Sequence, residues 1–273
     1  MTIHLFTSDT HCGGETALMP PVTYNHSGDP VMMMRDQSPM QDIIYRQWLD
    51  VGEKVKQMRG KFSKKQIIHY FNGDAVEGDH HGTRQLVTKY LINQAYMHVQ
   101  CVKDLREVMG WRDTDRMIYT DGTETHVGEF ERLSSDLLWA EHYPVIKKKT
   151  PAGQLWVAHH GATPGKAHTS GNALRNKAKA EVRAALEAGR EPPRFIVYSH
   201  YHTKRHITDN VGIYEIDAWI LPSFQYKTGF GYRVAPFEPE DIGGMVMQIE
   251  GDGLFNRSSW EWLTLEREER ILE

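Results

Sequence analysis

The chain of 273 residues carries 32 Lys and Arg against 36 Asp and Glu, a net charge of −4, so there is no wholesale basic footprint and any nucleic-acid contact must come from a local patch. A hydrophobic content of 40%, with Trp, Tyr and Phe spread along the sequence, excludes a disordered chain and suffices for a large core. No apolar run has the length of a bilayer span, no charged leader precedes the first strand, and Cys12 and Cys101 form neither a disulfide framework nor a CxxC pair, so a cytoplasmic setting is expected.

The sequence opens on an apolar string, Ile3 to Ser8, that stops at Asp9-Thr10-His11. A Gly/Pro/Asn/Met-rich stretch, residues 13–40 with Met32-Met33-Met34 inside it, reads as a long ordered loop. Ser38-Pro39 then starts a helix to about Arg59, with Ile43, Ile44, Trp48, Leu49, Val51 and Val55 on its apolar face. A strand from Gln66 to Phe71 leads to Asp74, followed by a loop carrying Glu77, His80 and His81, and a second helix spans about Arg84 to Met109. The strand Arg116 to Thr120 runs into Asp121-Gly122-Thr123-Glu124-Thr125-His126, ahead of a short helix from about Phe130 to Trp139. Val145 to Lys149 and Leu155 to Ala158 pair as a hairpin across Thr150-Pro151-Ala152-Gly153, and the second of these ends at His159-His160-Gly161. A helix over Asn172 to Ala188 stops at Gly189, and the strand Arg194 to Ser199 ends at His200-Tyr201-His202. Beyond it the pattern is mostly β, with Ile213 to Leu221, Gly244 to Glu250 and Trp260 to Leu265. No linker or repeat interrupts residues 1–273, which implies a single domain.

Five of these strings therefore end on a residue able to ligate a metal. In an α/β protein the carboxyl ends of the strands share one edge, where ligands bind, so distant positions can converge there. Carboxylates and imidazoles together suit a divalent transition metal. A packing role is a poor explanation, because an unpaired buried Asp or His is costly.

Asp9-x-His11, Gly73-Asp74, the Gly122-led turn with His126, His160-Gly161 and His200-x-His202 stand in the order of the calcineurin-like metallophosphoesterases, and the chain resembles that superfamily over roughly Ile3 to His202. The resemblance implies a four-layer α-β-β-α sandwich of two mixed sheets flanked by helices. It implies one metal held by Asp9, His11, Asp74 and His202, and a second held by Asp74, His160 and His200, with Asp74 bridging. A hydroxide between the two metals would attack phosphorus, and His126, with Asp74, would be catalytic, His126 assisting the leaving group. Mn²⁺ heads the metals such a shell accepts, with Fe, Zn²⁺, Ni²⁺ and Co²⁺ as alternatives.

The third block departs from the superfamily pattern of Gly-Asn-His: Thr123 stands where Asn is usual, and His126 arrives two residues late. Thr123 is the first candidate to replace the Asn ligand, with Asp121 and Glu124 as alternatives. His159 is read as a packed or exposed imidazole, His4, His69 and His98 as structural or surface residues, and Glu77 as an exposed loop carboxylate.

On the substrate side, His80, His81, Lys166 and Arg175 are candidate phosphate contacts, set against readings as a solvated turn and a solvated helix. Lys147-Lys148-Lys149 reads as a solubility feature. Phe224, Tyr226, Phe230, Tyr232 and Phe237 suit stacking on bases, or else a β-rich core or dimer contact. The expectation is a phosphodiesterase acting on nucleic acid or nucleotide phosphodiesters, resembling nuclease-like phage and prophage members of the superfamily. The alternatives are a phosphomonoesterase and a non-catalytic interaction module that keeps the fold.

Overall fold

A computed structural model describes residues 1–22, 37–61, 63–78, 85–124, 128–165, 171–229, 240–251 and 256–265. In chain order the elements are β1 (Thr2–Thr7), α1 (Pro39–Arg59), β2 (Gln66–Asn72), α2 (Leu91–Met109), β3 (Arg116–Thr120), α3 (Phe130–Leu137), β4 (Glu141–Tyr143), β5 (Ile146–Thr150), β6 (Gly153–Val157), α4 (Asn172–Glu187), β7 (Pro193–Tyr198), β8 (Arg205–Val211), β9 (Tyr214–Ile220), β10 (Gly243–Gly251) and β11 (Asn256–Thr264). They form two mixed sheets, one ordered β11-β10-β1-β2-β3-β4 and the other β5-β6-β7-β9-β8. β1 to β4 run parallel in the first sheet, and β6, β7 and β9 run parallel in the second.

The two-residue period of the strands sorts their side chains into separate cores. In the first sheet, Ile3, Leu5, Ile67, Phe71, Met117 and Tyr119 face α1 and α2, where they pack with Ile44, Trp48, Val51 and Val102. The intervening Phe6, Ile68, Tyr70 and Ile118 face the second sheet and meet Leu155, Val157, Phe195, Val197 and Trp219. On the second sheet's far side, Trp156, Ile196, Tyr198 and Ala218 pack against Leu174, Ala178 and Val182 of α4. Three apolar interfaces define four layers, the α-β-β-α sandwich expected from the sequence.

Local signals account for the helix ends. Ser38 caps α1 through a reciprocal box: its Oγ accepts from Gln41 N at 3.2 Å, and Gln41 Oε1 accepts from Ser38 N at 3.1 Å. Gly110, in the left-handed region at φ 63°, ends α2. Some boundaries differ from expectation. α2 begins at Leu91, not Arg84, because the preceding backbone is used elsewhere: Val87 N donates to Gly13 O at 2.8 Å, and Gln85 O accepts from Glu15 N at 3.0 Å. α3 stops at Leu137, and Trp139 takes a positive φ of 54°. Ile43 lies on the solvent side of α1, not in its apolar face. β8, unassigned in the sequence, pairs with β9 through a tight turn at Gly212-Ile213. Among the described residues no helix is long and apolar enough to cross a membrane.

Candidate metal centre

The parallel strands β1, β2 and β3 end beside the parallel strands β6, β7 and β9, and their following loops are laced together. Asp9 N donates to Gly73 O at 2.9 Å, His11 N to Asp74 O at 3.1 Å, and Phe224 N, beyond β9, to Asp9 O at 3.0 Å. The backbone is bent sharply at the ligand-type residues. Six described non-glycine residues have positive φ, and five of them are Asp9 (51°), His11 (44°), Asp74 (58°), His200 (76°) and His202 (53°). Each such conformation costs on the order of 1–3 kcal/mol and persists where surrounding structure enforces it, typically at functional sites. Two glycines permit the close approach of the loops. A Cβ on Gly73 would lie 2.4 Å from His159 Nδ1, and one on Gly122 would lie 2.4 Å from Asp74 N.

Among the described residues three overlapping groups have ligand atoms within 4.8 Å of one another: Asp9, His11 and His202; Asp9, Asp74, His159 and His200; and His159, His160 and His200. Both carboxylates stand between the groups. Asp9 belongs to two of them, and Asp74 Oδ2 is 3.8 Å from His11 Nε2 and also 3.8 Å from His200 Nδ1.

Thr123 occupies the middle of the cluster. Its Oγ1 donates to Asp74 Oδ2 at 3.1 Å and stands 3.3 Å from His159 Nε2, His160 Nε2 and His200 Nδ1, while its backbone N donates to Asp74 Oδ1 at 2.6 Å. Of the other candidates for the missing Asn, Asp121 is engaged with His142 at 2.6 Å and Glu124 is exposed.

The two adjacent histidines are placed differently. His159 is buried, its Nδ1 2.7 Å from Asn72 O and 2.8 Å from Ser199 Oγ, and its Nε2 3.1 Å from Asp74 Oδ2. The packed or exposed imidazole expected from the sequence is thus a buried one directed at the carboxylate. His160 is exposed at the rim, with its ring 4.4 Å from that of His200. Glu77, expected on an exposed loop, is buried, with Oε2 3.0 Å from His11 Nδ1.

The electrostatics follow from carboxylates crowded among imidazoles. Burial alone would raise the Asp74 carboxyl, but His159 and His200 beside it hold it well below its ordinary value. Burial would lower His159, yet the charge of Asp74 outweighs it and raises the ring to about 9. His11 is likewise raised to about 9 against its burial, by Glu77, Asp74 and Asp9. Glu131, buried behind the site and accepting from Ala75 N at 3.3 Å, is pushed up to about 8 by burial and by the charge of Asp74.

The donor set fits divalent cations on two observations. Asp9 Oδ1 is buried and accepts no hydrogen bond, although His202 Nε2 lies 3.5 Å away and His11 Nε2 3.9 Å away. The Nε2 atoms of His11 and His202 are 3.2 Å apart, near the spacing of about 3.3 Å for two imidazoles at about 2.0 Å on one tetrahedral ion. A cation would displace protons from the raised imidazoles, since ligation requires the neutral ring.

Other expected contacts lie elsewhere or outside the described residues. His80, His81, His126 and Lys166 are outside them, as are Phe230, Tyr232, Phe237 and Met32 to Met34. Arg175 is paired with Asp209 on β8 at 2.9 Å and with Asn172 at 3.1 Å. Phe224 is fully buried, its ring 4.7 Å from that of Trp48, which favours the core reading. His4, His69 and His98 are buried and hydrogen-bonded, to Tyr70, Thr7 and Thr10 respectively. Sequence reasoning missed the inward role of His159 and the contribution of the β9 end, Ser223 to Gln225. β9 lacks an acid or imidazole at its terminus, so no ligand-type residue marked it.

The sequence matches no protein-family model and no curated protein. Among solved structures it is similar to Vps29 of Chaetomium thermophilum, at 8% identity and a TM-score of 0.41 over 97% of this chain and 98% of that one. An archaeal phosphodiesterase aligns at 10% identity and a TM-score of 0.40, over 95% of this chain and all of that one. The sulfate thiohydrolase SoxB of Thermus thermophilus aligns at 11% identity and 0.39, over 96% of this chain and 56% of that one. Likeness at this level leaves the function to be argued from the residues of the site.

Proposed function

We propose that this chain is a dinuclear-metal-dependent phosphoester hydrolase acting on phosphodiesters of nucleic acid or nucleotides. The observation that carries the reading is the convergence of Asp9, His11, Asp74, His159, His200 and His202 in overlapping groups, with a buried Asp9 oxygen that accepts no hydrogen bond among them. One ion would be held by Asp9, His11, His202 and Asp74. The other would be held by Asp74, His159 and His200, with His160 and the Thr123 hydroxyl at its open side. When bound, divalent cations supply Lewis acidity to phosphoryl oxygens and a lowered pKa to water. Mn²⁺ is the first candidate, and Fe, Zn²⁺, Ni²⁺ and Co²⁺ suit the same donors.

The remaining chemistry belongs to the protein. Asp9 and Asp74 keep the site anionic and hold the ligands in fixed orientation. The Asn72 carbonyl and Ser199 hydroxyl fix His159 through Nδ1, leaving Nε2 for the site. Exposed His160 and Tyr201 lie with their rings beside that of His200, where an ester substituent would lie. His126, by its resemblance to the superfamily histidine, protonates the leaving oxygen.

Hydrolysis of bis-p-nitrophenyl phosphate against p-nitrophenyl phosphate, with added Mn²⁺, tests the assignment. Diester turnover is expected to exceed monoester turnover and to vanish in Asp74→Ala. Monoester turnover far above diester turnover would make the chain a phosphomonoesterase. If metal-loaded protein turns over neither ester, and Asp74→Ala changes only stability, the fold serves as a non-catalytic module.

A further inference from the structure

Glu77 follows Asp74 by three residues and is folded back beneath the site. Its backbone N donates to Cys12 O at 3.1 Å, which draws the loop after β2 against the loop after β1. The residue is 3% exposed, so its carboxylate is spent on protein contacts and not on water. Oε2 lies 3.0 Å from His11 Nδ1 and accepts from Gln225 Nε2 at 2.6 Å.

Gln225 is itself held firmly. It is 4% exposed, and its backbone N donates to Ser223 Oγ at 3.3 Å. It also forms a bridge with Ala17, and its neighbours Phe224 and Tyr226 donate to Asp9 O and Thr16 O. The result is a buried chain of contacts from the end of β9, through Gln225 and Glu77, to His11. The opposite ring nitrogen of His11 is the one that faces Asp9, Asp74 and His202.

We propose that Glu77 is a positioning residue for His11 and that Gln225 locks Glu77 in place, an inference that rests on the metal reading of the site. With Oε2 3.0 Å from Nδ1, the carboxylate holds that side of the ring by charge attraction and leaves Nε2 as the ligating atom. An anionic partner also makes the imidazole a stronger donor to a cation. Gln225 neutralises no charge. It fixes the rotamer of Glu77 and, through it, the direction of the His11 ring. In this way β9, with no ligand of its own, acts on the centre.

Calorimetric titration with Mn²⁺ tests this on the native chain and on the Glu77→Leu, Glu77→Gln and Gln225→Leu variants, with Co²⁺ visible absorption as a second signal. Loss of an outer carboxylate typically lowers metal affinity roughly 10–100-fold. Glu77→Leu should weaken one class of ion by that factor, leave the other within about threefold, and alter the Co²⁺ ligand-field bands. Glu77→Gln, which retains an acceptor oxygen, should recover part of the loss, and Gln225→Leu should show a smaller loss at the same class. If Glu77→Leu does not fold, the Gln and Gln225 variants carry the comparison. Native affinity and unchanged Co²⁺ bands in the folded variants would overturn the positioning role while leaving the metal reading intact. A native chain that takes up no Mn²⁺ would overturn the metal reading, and this inference with it.

Discussion

At His159 the Nδ1 atom is committed to Asn72 O and Ser199 Oγ, at 2.7 and 2.8 Å, so the ring cannot turn without losing a buried partner. Asn72 is anchored in turn, its Oδ1 accepting from Thr120 Oγ1 at 2.6 Å and its Nδ2 donating to Ala158 O at 3.1 Å. His160, one residue on, is held by contacts at its exposed tip alone among those described: Thr123 Oγ1 at 3.3 Å and the neighbouring rings. A pre-oriented ligand loses little freedom on binding a metal, whereas a rim residue must be ordered first. His159→Ala should therefore weaken Mn²⁺ binding by more than the roughly 10–100-fold typical of an outer partner, and His160→Ala by clearly less. Equilibrium dialysis of the two variants reads the difference. Equal losses would show that the hydrogen-bonded ring has no privileged place in the centre.

At the scale of elements, most of the fold is written in strand patterning and helix-end chemistry. The run Gln66 to Phe71 alternates between two cores, and Ser38-Pro39 with Gln41 fixes where α1 begins. That five strand ends would share one edge was also legible, because each carries an acid or imidazole immediately after an apolar string. Four features were not legible, each for a physical reason. β8 reads RHITDNV, whose charged and polar residues follow from an edge position with one face in solvent. The start of α2 is set by hydrogen bonds from the loop after β1, a long-range constraint that no local propensity carries. His159 is buried and His160 lies exposed at the rim, and adjacent identical residues offer no pattern to separate them. Glu77 belongs with these: its burial comes from Gln225, 148 positions away.

For the molecule as a whole, two histidines outside the candidate metal centre couple stability to pH. His4 and His69 are buried between layers, and burial lowers both to about 3, aided at His4 by the charge of Lys148 and at His69 by that of Arg106. In the unfolded chain each titrates near 6.5, so between pH 6.5 and 3 the unfolded state binds more protons than the folded one. Their contribution is complete above pH 6.5 and is lost as pH falls through that window, with a combined size on the order of several kcal/mol. Urea unfolding of chelator-treated protein should show a falling midpoint from pH 6.5 downward, with a shallower fall in a His69→Gln variant. An identical slope in the variant would show that His69 does not carry the coupling.

The proposed chemistry depends on the strand ends of both sheets gathering ligands for a pair of ions. The most direct measurement is the ion count per chain after dialysis against Mn²⁺, taken by elemental analysis on the native protein and on Asp74→Asn, with proton release followed in weak buffer. Two ions per native chain, uptake of protons by the buffer as they bind, and at most one ion in Asp74→Asn are the predicted results. A native chain that retains no ion, or an Asp74→Asn variant that retains the native number, would contradict it.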